Sequence, residues 1–102
     1  MSNFTKMEKY AIINILSCIM KADGIIHPKE EEFMNRTYHD FGITVSDLED
    51  IAILNDIQAK HIVCDMSDKK KRQAMLLCME MAKADGFIHP KEIETIKQIF
   101  SL

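Results

Sequence analysis

The chain has 102 residues, 47% of them hydrophobic and 28% charged, with a formal net charge of −3. That length supports one core, and the mildly acidic balance supplies no broad basic surface, so nucleic acid is not an expected partner. Three Gly, two Pro and no Trp leave little turn chemistry for an all-β fold, whereas eight Met with abundant Ile, Leu, Ala, Glu and Lys favour helices.

Residues 4–22 carry apolar side chains at Phe4, Met7, Ala11, Ile15, Ile19 and Ala22, a three-and-four spacing that predicts a helix. Ile12, Ile13, Leu16, Cys18 and Met20 widen the stripe nearly all round, so this helix belongs at the centre of a bundle. Gly24 is its expected stop. Pro28 opens the next helix at its first position, with His27 as N-cap and Glu30 at N3. That helix runs to about 41, with Phe33, Met34, Thr37, Tyr38 and Phe41 on its inner side and Gly42 as its stop. Ser46-Asp47-Leu48-Glu49 reads as a capping box opening a third helix. Asn55-Asp56 interrupts, and Ile57–Asp65 is a short fourth helix expected to pack through Ile57, Ile62 and Val63. Ser67-Asp68 opens a fifth, apolar through Ala74, Leu77, Cys78, Met81 and Ala84; Gly86 ends it. Pro90 begins the last helix, lined by Ile93, Ile96, Ile99 and Phe100. The expectation is an all-α fold: a compact bundle of five to six helices forming a single domain, 1–102. Its repeat units span about 4–42 and 67–102, with a connector at 43–66.

Cys18, Cys64 and Cys78 sit among apolar residues and read as buried, reduced thiols, which suits a cytoplasmic protein. No Cys-x-x-Cys pair offers a thiolate zinc site. Lys6 and Lys9 before AIINILSCIM imitate a signal peptide, but AMLLCMEMA precedes the second repeat in the same way, so both are core helices. Neither approaches the roughly 18 apolar residues of a membrane span. Lys69-Lys70-Lys71-Arg72 reads as a solvated face, and His39 and His61 as surface or groove residues.

The most informative feature is a phrase written twice: KADGIIHPKE at 21–30 and KADGFIHPKE at 83–92, 62 positions apart. Core packing accepts many apolar substitutes and does not demand identical Asp, Gly, His, Pro and Glu. The same local backbone is therefore expected twice. D-G-x-I-x-x-x-E matches the second half of a calcium-binding EF-hand loop, but Ile19 and Lys21, like Met81 and Lys83, stand where oxygen ligands are required. A single-loop calcium site cannot form.

A long apolar helix, A-D-G-x-I-x-x-x-E and a second helix, all occurring twice about sixty residues apart, resembles the TerB-like family. That family includes tellurite-resistance proteins and a domain N-terminal in a membrane-anchored DnaJ-type co-chaperone. The resemblance covers about 4–102. It implies a compact helical domain whose two acidic motifs lie close together and bind a divalent metal, on this chain through Asp23, Glu30, Asp85 and Glu92. The physics is compatible: each copy places one carboxylate just past a helix and another in a helical first turn, where backbone N–H groups favour negative charge. Four converging carboxylates demand a cation or proton. Oxygen donors suit Ca²⁺ or Mg²⁺ ahead of Zn²⁺; His27 and His89, as secondary candidates, would move the preference toward Zn²⁺.

The competing reading is that Asp23 and Asp85 only bind turn N–H groups and Glu30 and Glu92 only cap helices, with His27 and His89 as N-caps. Two functions follow: a non-enzymatic TerB-like module that binds a divalent cation and a protein partner, in a cytoplasmic stress response, or a purely structural interaction domain without a metal site. An enzyme is not expected, because no nucleophile–base constellation or phosphate-cradling Gly loop is present.

Overall fold

The computed structural model describes residues 4–22, 24, 27–84, 86 and 89–100. They form six helices: α1 (Lys6–Met20), α2 (Pro28–Phe41), α3 (Val45–Ile53), α4 (Asp56–Cys64), α5 (Asp68–Ala82) and α6 (Pro90–Phe100). There is no strand among the described residues. The all-helical bundle expected from the apolar spacing is what the chain adopts.

Helix α1 is the central element. Tyr10, Ala11, Ile12, Ile13, Ile15, Leu16 and Ile19 are all buried, and the helix packs against all five others. Each such large aliphatic side chain contributes on the order of 1.5–3 kcal/mol by leaving water. Its start is set by Thr5, whose hydroxyl accepts the Glu8 N–H (3.2 Å) while the Glu8 carboxylate accepts the Thr5 N–H (2.8 Å), a reciprocal cap.

The repeat in sequence is a repeat in space. Helices α1 and α5 have bounds 62 positions apart, and α2 and α6 begin 62 apart. Glu8 and Lys70, counterparts at that offset, form an ion pair at 2.8 Å. A contact between a residue and its own counterpart lies on the axis relating two copies. An approximate two-fold therefore passes between α1 and α5. The other packings come in matching pairs, α1 on α2 with α5 on α6, and α1 on α6 with α5 on α2.

Four local expectations give way. The cap of α3 is Thr44 with Asp47, two residues before the Ser46 box. Thr44 N–H donates to Asp47 Oδ2 at 2.8 Å, and the Tyr10 hydroxyl donates to the same carboxylate, so a tertiary contact chooses between two plausible caps. Helix α4 packs through Ala59 and Val63, both fully buried, while Ile57 is 70% exposed; it lies about half a turn from Ala59. Cys64 is exposed, not buried, its thiol directed at the Ile99 carbonyl (3.8 Å). Gly24 is also not the residue that stops α1: Lys21 caps the helix, and Gly24, at φ 79°, turns the chain three residues later.

Candidate functional site

The two repeated phrases build the same corner. After α1, the Gly24 N–H donates to the Lys21 carbonyl (3.0 Å); after α5, the Gly86 N–H donates to Lys83 (2.8 Å). Both glycines have left-handed backbone, φ 79° and 83°, which L side chains resist. Beyond each turn a histidine carbonyl receives the first N–H groups of the next helix: Glu30 and Glu31 at 3.0 and 3.1 Å on His27, Glu92 and Ile93 at 3.0 and 3.2 Å on His89. Pro28 and Pro90 supply the first helical residue in each case, where the missing N–H has no partner to lose.

The corners meet. The imidazoles of His27 and His89 stack with centroids 5.2 Å apart and planes 19° from parallel. These residues are again counterparts 62 positions apart, so the two-fold that passes between Glu8 and Lys70 also passes between the two rings. The His27 side chain makes no capping hydrogen bond to the start of α2, and its ring takes part in the stack.

One helical turn deeper, Glu30 and Glu92 have no exposed surface at all. A glutamate at the third position of a helix is ordinarily a solvated capping residue. Here the Glu92 Oε1 accepts the His89 N–H at 3.2 Å, while its Oε2 is buried without a hydrogen bond among the described residues. A buried carboxylate oxygen is tolerated when protonated or when a cation neutralises it, and its position at a helix N-terminus eases the cost. An oxygen donor of this kind suits a hard divalent ion.

Of the residues singled out by the sequence, the structure brings His27 and His89 together and buries Glu30 and Glu92. Asp23 and Asp85 lie outside the described residues. Among the described residues no three His, Cys, Asp or Glu side chains gather as a metal-holding group. The histidine stack is the part the sequence reading missed. Its only signal was the identity of His-Pro-Lys-Glu in both copies, which taken one copy at a time reads as helix-start chemistry.

Cys18 and Cys78 are not poised as thiolates. Burial pushes the Cys78 thiol up to about 12. Cys18 is raised to about 11, by burial first and then by its contact with Asp56. Both stay protonated at neutral pH.

No family model matches the chain, and no curated protein matches it. Among solved structures, a protein of unknown function from Porphyromonas gingivalis W83 is similar to it with a TM-score of 0.78 and 24% sequence identity, over 100% of this chain and 88% of that one. The likeness is one of fold. No helix among the described residues is long and apolar enough to cross a membrane.

Proposed function

We propose that this chain is a non-enzymatic binding module of the TerB-like kind, which holds a divalent cation between its two repeated corners and presents a helical surface to a protein partner in the cytoplasm. The observation that carries this reading is the His27–His89 stack, because it makes neighbours of two corners whose glutamates are fully buried. Glu30, Glu92, Asp23 and Asp85 are the oxygen donors in this reading, and Ca²⁺ or Mg²⁺ fits that set ahead of Zn²⁺. The imidazoles stand close enough to join if a softer ion enters. A stress response is the process to which the resemblance points.

One observation favours the structural alternative: the His89 N–H bond to Glu92 is half of a capping box and gives that carboxylate a role without any ion. Thermal unfolding separates the two readings. Millimolar Ca²⁺, Mg²⁺ or Zn²⁺ should raise the melting temperature of the wild-type chain, and the shift should vanish in Glu30→Gln/Glu92→Gln and in Asp23→Asn/Asp85→Asn. An ion at a hundredfold excess over its dissociation constant stabilises by about 2.7 kcal/mol, roughly ten degrees or more for a domain of this size. The absence of any shift with all three ions leaves the purely structural domain.

A further inference from the structure

The two-fold that relates the repeats is broken by the connector. Helices α3 and α4 cover one side of the bundle, and among the described residues no element covers the counterpart of that side. On the covered side α4 lies against α1, with Cys18 and Asp56 lining one hollow and the Cys64 thiol directed at the Ile99 carbonyl of α6. Helix α3 and its exit turn are held by Tyr10, which donates to Asp47, and by Asn14, whose amide donates to the Leu54 carbonyl at 2.8 Å.

Sixty-two positions on, the seat is open. Ile15, Cys18 and Ala22 correspond to Leu77, Glu80 and Ala84, and Ile99 to Thr37. These four, with Phe33 and Arg36, line an open groove of about 510 Å³ between α2 and α5. Tyr10, Ile13 and Tyr38 correspond to Arg72, Met75 and Phe100, which line a second hollow of about 310 Å³ on α5 and α6. Exposure follows the same division. Tyr10, Ile13 and Ile15 are buried, whereas Arg72 is exposed and Met75 and Leu77 are half-buried. Asn14, half-buried under the α3–α4 turn, is matched by Leu76 at 59% exposure.

We propose that this open seat on α2, α5 and α6 receives an amphipathic helical hairpin from a partner protein, built on the plan of α3–α4. The covered half shows what such an occupant looks like: small apolar residues one turn apart, as Ala59 and Val63 are, set against the aliphatic floor. The substitutions between the halves dictate its charges. Where Tyr10 meets Asp47, the hollow is lined by Arg72 and Lys71 against one carboxylate, Asp68, and that positive balance calls for an acidic residue on the first helix. At the place of Cys18 stands Glu80, and with Glu32 and Asp40 it outweighs Lys29 and Arg36 in the same groove, which calls for a basic residue at the start of the second. Leu76 in place of Asn14 replaces a hydrogen bond to the inter-helix turn with an apolar contact. The inference rests on the reading of the chain as a binding module, and it identifies the surface and the partner's chemistry; it does not involve the cation.

The test uses the full 102-residue chain and a labelled peptide of residues 43–66 carrying Asp56→Lys, with chelator present, so that failure here leaves the cation question to its own measurement. Fluorescence anisotropy should show saturable binding. Leu77→Glu and Arg72→Glu, each checked for helical content by circular dichroism, should weaken it about tenfold or more, as central contacts do. The unaltered 43–66 peptide should bind less tightly to the wild-type chain and regain affinity for Glu80→Lys. The proposal is overturned if the Asp56→Lys peptide does not bind. It is equally overturned if binding survives both α5 substitutions unchanged, which would mean that the peptide has displaced the chain's own connector from α1.

Discussion

A glutamate with no exposed surface is the residue on which the functional question turns. The His89 N–H occupies one Glu92 oxygen at 3.2 Å and the other is buried, so charge and capping contribute separately and can be separated by substitution. Glu92→Gln keeps an acceptor for the N–H and removes the charge; the ion-free protein should lose no stability, or gain some, in urea denaturation. Glu92→Ala removes the acceptor as well and should cost about 1–3 kcal/mol. If both variants lose the same amount, the carboxylate charge is satisfied within the fold and the cation reading fails. Gly24 and Gly86 make a control at the same scale. An added Cβ meets nothing within 4 Å at either position, so Gly24→Ala should cost only the left-handed backbone term, about 1–2 kcal/mol. Position and identity of these residues were legible in the repeated phrase. Their burial was not, because a first-turn glutamate in a capping pattern looks the same whether the far side of its helix is water or another corner.

At the scale of elements, one carboxylate fixes the start of α3. Asp47 is held down to about 2, first by the hydrogen bond from the Tyr10 hydroxyl and then by the Thr44 N–H. Its folded value lies below the unfolded one of about 3.9. The stabilisation it gives is therefore complete above that unfolded value and is lost as pH falls through about 2. Asp47→Asn should flatten the acid limb of stability against pH in this window, and Tyr10→Phe should flatten it partly; an unchanged acid limb in both would show that the contact does not anchor α3. Helix α1 carries the opposite kind of dependence. Leu16 is completely buried, and Leu16→Ala should cost about 2–5 kcal/mol at any pH. The apolar spacing predicted α1 and α2 to within two residues because a wide stripe and a Pro–Gly bracket are local signals. It misplaced the cap of α3 and one of the three residues expected on the inner face of α4, Ile57, while Val63 is buried and Ile62 half-buried as expected; Thr44 against Ser46 and Ala59 against Ile57 are decided by contacts with α1.

For the whole molecule, the relation between the halves matters more than any single helix. If the corners meet through their histidines, His27→Ala and His89→Ala should be non-additive in stability. A double-mutant cycle should return about 0.5–1.5 kcal/mol of coupling, and strict additivity would separate the corners. The same symmetry makes the unequal dressing of the halves informative. One copy of the helical pair is covered by 43–66 and the other is left with Arg72, Leu76 and Leu77 facing outward or half-covered.

The amino-acid order alone determined the helical class, the duplication at 62 residues and the two corners that differ only at Ile25 against Phe87, since these depend on periodicity, on Pro and Gly backbone restriction and on repetition, all of them legible along the chain. Only the tertiary structure decided that His27 stacks on His89, that Glu30 and Glu92 are buried, and that the connector dresses one half and not the other. Those outcomes depend on which surfaces approach in space: a constant offset of 62 pairs the residues along the chain, but only the approximate two-fold decides which pairs touch.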